Sequence, residues 1–96
     1  MIEVLQTETF RRWMDHLDDA VAETRILARI KRAQFGNLGD WKSVGGGVSE
    51  MRIDHGAGYR VYFTRRGDKL IVLLAGGTKR TQTADIARAQ QIAKQV

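Results

Sequence analysis

Two arginines, Arg52 and Arg60, are the residues in this chain most clearly placed for chemistry. They lie in GVSEMRIDHGAGYRVYF, starting at Gly47, and RRGDKLIVLLAGGTKRTQTADIARA follows with two further cations, Lys79 and Arg80. If Met51 and Ile53 face a core together with Tyr59, Val61 and Phe63, paired positions of an antiparallel hairpin must sum to an even number. Pairing 53 with 59 and 51 with 61 satisfies this, with Asp54 to Gly58 as the connection, and a bulge near Gly56 to Gly58 is the alternative that would shift the register. Arg52 then stands opposite Arg60, and Glu50 opposite Tyr62, all on the other face. Like charges in register repel, so sheets avoid them unless something anionic comes between. One alternative is an ion cluster of Glu50 with the two arginines on a solvated face. The functional alternative is a groove that holds phosphate.

Leu70 to Ala75 is a continuous apolar run, the pattern of a strand inside a sheet with both faces covered. It leads into Gly76-Gly77-Thr78-Lys79-Arg80, which brings two cations to the sheet edge beside Arg60. Thr81 is placed to cap a helix from Gln82 to about Lys94, with Ile86, Ala89, Ile92 and Ala93 as its small-residue apolar face. A basic loop at a helix N-terminus suits an anion, because backbone N–H groups and cationic side chains point together.

The N-terminal half supplies the elements that position this sheet. Ile2 to Leu5 reads as an opening strand. Thr7 is an N-cap, and Phe10, Trp13, Met14 and Leu17 recur at helical spacing as a core face. Asp18 and Asp19 end that helix and start a second, from about Asp19 to Phe35, which buries Ala22, Ile26, Ile30 and Ala33 and stops at Gly36. Arg25, Arg29 and Arg32 form a second stripe on it, read as a solvated face. Asn37 to Gly47 is glycine-rich and reads as an irregular, mobile connector with a turn or bulge at Gly45 to Gly47. It is not a P-loop, since no GK[ST] ends it and a strand follows. Lys42 in this connector is a candidate RNA-phosphate contact at the groove rim. His55 is either a plain turn residue or a proton-transfer group, while nothing argues for His16.

Composition bounds the rest. The 96 residues make one domain, 1–96, with 16 Lys and Arg against 11 Asp and Glu and a formal charge of +5, which favours polyanionic partners. With no cysteine, disulfides, thiolate zinc sites and thiol nucleophiles are excluded. Neither a leader nor a membrane-spanning stretch is read, so a soluble, cytoplasmic protein without cofactor or metal is expected.

Over nearly its whole length the chain resembles the RelE/ParE superfamily of small bacterial toxins, and within it the HigB-like addiction module killer proteins. The resemblance is carried by Glu50, Arg52, Gly58, Tyr59, Arg60, Tyr62, Gly76, Gly77, Lys79, Gln82, Asp85 and Ile86. Phe10 and Trp13, the RILARI of the second helix and GNLGDWKSVGGGV agree with it. It implies an α+β, RelE-like fold: two N-terminal helices on a mostly antiparallel sheet, with a C-terminal helix. It implies the toxin of a type II toxin-antitoxin system, a ribosome-dependent mRNA endonuclease that works without metal by 2′-hydroxyl attack. Its partners would be the ribosome, mRNA and a cognate antitoxin, commonly of helix-turn-helix type, packed against the two N-terminal helices. The alternative to a solvated face there is that part of the Arg25, Arg29 and Arg32 stripe meets an acidic antitoxin segment. On that reading Arg60 is the central transition-state cation, Lys79, Arg80 and Arg52 bind phosphates, and Glu50, Tyr62, His55 and Lys79 compete for the acid and base roles. Some relatives place a tyrosine or histidine in the C-terminal segment, and this chain has neither after Tyr62. Two alternatives therefore stand beside the nuclease: a ParE-like DNA gyrase poison, and a non-catalytic module that binds antitoxin or nucleic acid.

Overall fold

The computed structural model describes residues 1–96. Its elements are β1 (Glu3–Gln6), α1 (Glu8–Asp15), α2 (Ala20–Gln34), β2 (Trp41–Gly45), β3 (Val48–Ile53), β4 (Tyr59–Arg66), β5 (Leu70–Thr78), a short 3₁₀ turn (Lys79–Thr81) and α3 (Gln82–Ala93). The five strands form one mixed α+β sheet in the order β1-β5-β4-β3-β2. Strands β2 to β5 are an antiparallel meander, and β1 pairs in parallel with β5. No helix is long and apolar enough to cross a membrane.

Each helix starts where its cap residue sits. Thr7 accepts a hydrogen bond from the Phe10 N–H at 3.2 Å, and its own hydroxyl donates to the Leu74 carbonyl, so one side chain caps α1 and ties the β1–α1 corner to β5. Asp19 caps α2 by accepting from the Ala22 N–H at 3.0 Å. At the other end of α2 the Gly36 N–H donates to Ala33 and the Asn37 N–H to Arg32, closing the helix as a left-handed glycine cap does.

The sheet is covered on both faces. Phe10 of α1 and Ala22, Ile26, Ile30 and Ala33 of α2 pack with Met51, Ile53, Val61, Phe63, Ile71 and Leu73 on one face. On the other, Ala89 and Ala93 of α3 lie against Val48, Tyr62, Val72, Leu74 and Ala75. The apolar run of β5 has both faces covered because it sits between these two layers. Gly76 and Gly77 serve the same layering: a Cβ on Gly76 would collide with the Trp13 ring of α1, and one on Gly77 with the Asp85 carboxylate of α3.

Three expectations need correction. The segment Asn37–Gly47 is not an irregular connector throughout, since Trp41–Gly45 is strand β2, paired with β3. Pairing partners outweigh weak local propensity there, and the glycines are confined to the ends. The last strand does not stop at Ala75 but runs to Thr78, with Gly77 opposite Arg60. Thr81 does not bond a helix N–H; its hydroxyl is taken by the Thr78 carbonyl and the Asp85 carboxylate.

Candidate nucleic-acid interface

The hairpin register places Glu50 opposite Tyr62, Met51 opposite Val61, Arg52 opposite Arg60 and Ile53 opposite Tyr59. This is the pairing deduced from the apolar pattern. Lys42 lies opposite Glu50 on the neighbouring strand, so Lys42, Glu50 and Tyr62 form one row across three strands.

The face that carries these groups is not open. The first turn of α3 reaches over it, and Glu50 and Tyr62 are completely buried while Arg60 is 9% exposed. Glu50 is the hub. Its Oε1 accepts a 2.7 Å hydrogen bond from Gln82 Nε2 and lies 3.6 Å from Arg60 Nε, and its Oε2 lies 3.8 Å from Arg52 Nε. Arg52 also has Asp40 at 3.7 Å. One buried carboxylate thus stands between two facing guanidinium groups, which answers the repulsion the register creates.

The contacts are loose in an informative way. Distances of 3.6 to 3.8 Å are charge contacts and too long for hydrogen bonds. Glu50 Oε2, Arg52 Nε, Arg60 Nε and the Tyr62 hydroxyl are all buried without a hydrogen-bond partner. Buried polar atoms are ordinarily satisfied, so four orphans in one cluster mark a place where the protein keeps unspent bonding capacity. Burial, then the charges of Glu50 and Asp85, push the Tyr62 hydroxyl far above its usual range, with Arg60 opposing. Tyr62 is therefore neutral at physiological pH.

Above the cluster opens a cleft of about 280 Å³, lined by Arg52, Arg60 and Lys79 with Asp40, Asp54, Ile53 and Gly58. Three cations expected from sequence meet there. Arg80 and Lys42 do not line it; both are exposed, Arg80 one residue along the 3₁₀ turn from Lys79. His55 is turned elsewhere. Its Nε2 lies 3.2 Å from the Asp19 carboxylate at the start of α2, and its ring stacks on Tyr59, on the face opposite Arg60.

Arg29 departs from the expected solvated stripe. Its two Nη atoms donate to the carbonyls of Arg52, Leu38 and Asp40, pinning β3 and the segment before β2 to α2. Burial first, and the Arg32 charge second, lower its guanidinium from the usual value, with Asp40 opposing. Arg25 and Arg32 remain exposed. The residues that the hairpin pattern did not single out are Asp40, Asp54 and the tether Gln82. A signal existed for Gln82 alone, as part of the TQ following the cationic loop; the two aspartates look like ordinary turn residues.

No solved structure matches the chain. It is similar to an "Uncharacterized protein" of Haemophilus influenzae, 47% identical over 95 residues, which covers 99% of this chain and 96% of the relative. The family model "Phage derived protein Gp49-like (DUF891)" matches residues 12–95, a span that includes α2, the whole meander and α3. By that match the chain belongs to the Gp49-like family of phage-derived proteins.

Proposed function

We propose that this chain is the toxin of a toxin-antitoxin module and that it cleaves ribosome-engaged mRNA. The observation that carries the reading is the facing pair Arg52 and Arg60, held by buried Glu50 and opening with Lys79 into one cleft. A net charge of +5 supports it, as does the arrangement of a helical pair and a strand meander that the RelE-like resemblance implies.

In this reaction the 2′-oxygen attacks the adjacent phosphorus, the bond to the 5′-oxygen breaks, and a cyclic phosphate and a 5′-hydroxyl result. Charge builds on the phosphate oxygens of the pentacovalent transition state, where preorganised donors count most. Arg60, whose side chain lines the cleft while its buried Nε faces Glu50, supplies that charge, and Arg52 supports it from the neighbouring strand. Glu50, which holds the arginines, and Tyr62 are both sealed beneath α3 and do not exchange protons with substrate. Asp54 is an exposed carboxylate on the cleft without an ion-pair partner and takes the 2′-hydroxyl proton; the Lys79 ammonium delivers a proton to the 5′-oxygen. The antitoxin, of helix-turn-helix type, packs on the α1–α2 pair.

Induced expression tests this directly. Growth should stop through translation, and mapped 5′-hydroxyl ends should lie within coding regions only where ribosomes are engaged. Intact transcripts together with an SOS response and gyrase-linked DNA breaks would contradict the nuclease and favour the gyrase poison.

A further inference from the structure

We infer that single-stranded RNA continues from the candidate site over the end of β3 onto α2, where Arg25 and Arg32 hold a neighbouring phosphate. The inference rests on the proposed RNA site and extends it. A second cleft, of about 220 Å³, is lined by Arg25, Arg29 and Arg32 of α2 with Ala28. Ile53 and Asp54 line both this cleft and the one containing Arg60 and Lys79. The two clefts therefore share a wall at the end of β3, and together they make a cationic track from Arg32 to Lys79.

The cations on the track have different duties. Arg29 is spent on three carbonyls and fixes the wall. Arg25 and Arg32 are exposed and engaged in no ion pair or side-chain hydrogen bond, so their guanidinium groups are free for an anion. The crowding of Arg32 against Arg29 is itself unfavourable in the free protein and would be relieved by a phosphate. Asp54 repels phosphate, so the two phosphates sit on either side of it and the sugar passes over the shared wall. A flexible polyanion with charges at regular intervals fits this alternation, whereas the charge pattern offers a compact anion no single centre.

The test is fluorescence anisotropy of a labelled single-stranded RNA dodecamer with the full chain across a salt series. Each phosphate contact on a single strand contributes about 0.7 to the slope of log affinity against log salt. The double variant Arg25→Gln/Arg32→Gln, which keeps helix propensity and touches no structural contact, removes the one phosphate held on α2 and should lower the slope by about 0.7. Lys79→Ala should lower it by about 0.7, and Asp54→Asn should raise affinity. If Lys79→Ala weakens binding and the double variant matches the parent, the extension onto α2 is wrong while the RNA site stands. If neither variant changes the slope, the RNA site itself is wrong and the extension falls with it. Should the double variant bind RNA normally but lose affinity for a polyglutamate peptide, the α2 face serves an acidic protein partner and the inference is overturned.

Discussion

Arg29 and Arg60 are both withdrawn from solvent and both sit against the same hairpin, yet their surroundings differ in kind. The Arg29 guanidinium is occupied by carbonyls of three residues, Arg52, Leu38 and Asp40. Arg60 has a carboxylate at 3.6 Å, a facing arginine, and a buried Nε with no bond at all. Burying a charge is costly unless it is paired and hydrogen-bonded. At Arg29 the hydrogen bonds meet that requirement and the residue is a staple. At Arg60 they are incomplete, which is the condition expected of a cation preorganised for a ligand. Burial alone does not separate the two; the unspent donors do.

The largest expected effect is on chemistry at Arg60. Arg60→Ala should reduce mRNA cleavage by about 10²- to 10³-fold, the loss associated with one preorganised transition-state donor. Its fold should survive because Glu50 keeps Gln82 and Arg52 as partners. Full toxicity of this variant at matched expression would refute the site. Arg29→Ala should do the opposite. It strands the part-buried carbonyls of Arg52 and Leu38 and should cost about 2 to 3 kcal/mol, or a fall of roughly 8 to 24 °C in Tm for a domain of this size, with cleavage per folded molecule unchanged. Differential scanning calorimetry alongside a cleavage assay separates the two arginines.

Much of this contrast is legible in the amino-acid sequence. Two-residue periodicity in Met51, Ile53, Tyr59, Val61 and Phe63 gave the hairpin one parity, and the pairing of 53 with 59 that satisfies it sets Arg52 opposite Arg60. The buried stripe of α2 and its glycine stop were readable for the same reason, because helical spacing is local. What escaped depends on distant partners. Nothing in the spacing of Arg25, Arg29 and Arg32 says that only Arg29 meets carbonyls 9, 11 and 23 residues away. Strand β2 was hidden because its glycine-rich surroundings suggest a loop and its pairing with β3 is not local. The sealing of Tyr62 arises from the close packing of α3 through Ala89 and Ala93, and that of Glu50 from Gln82, 32 residues away. His55 looked available for proton transfer, and its contact with Asp19, 36 residues earlier, could not be read from the turn.

Smaller effects sharpen the comparison at its edges. Arg80 lies outside the cleft, so Arg80→Ala should leave the cleavage rate at saturating ribosome unchanged and lower the salt slope of RNA binding by about 0.7. The His55–Asp19 contact, on the opposite face, should matter for stability only. The Asp19 carboxyl is lowered from its usual value, first by the Ala22 N–H and then by His55, against desolvation. A carboxyl lowered in the folded state adds stability that is present above its unfolded value, near about 3.9, and lost as pH falls through the folded value. Chemical denaturation across that acidic range should show the loss in the parent and a flatter profile in Asp19→Asn, with RNA affinity at neutral pH the same in both.

The most direct measurement is the arginine side-chain Nε–H spectrum of the labelled protein during titration with a single-stranded RNA dodecamer. The Arg52 and Arg60 signals should shift together and saturate at one affinity, while Arg29, already committed to backbone carbonyls, stays where it was. A titration in which Arg60 does not move while RNA binds would contradict the account, because the cation that lines the cleft would then have no part in holding the nucleic acid.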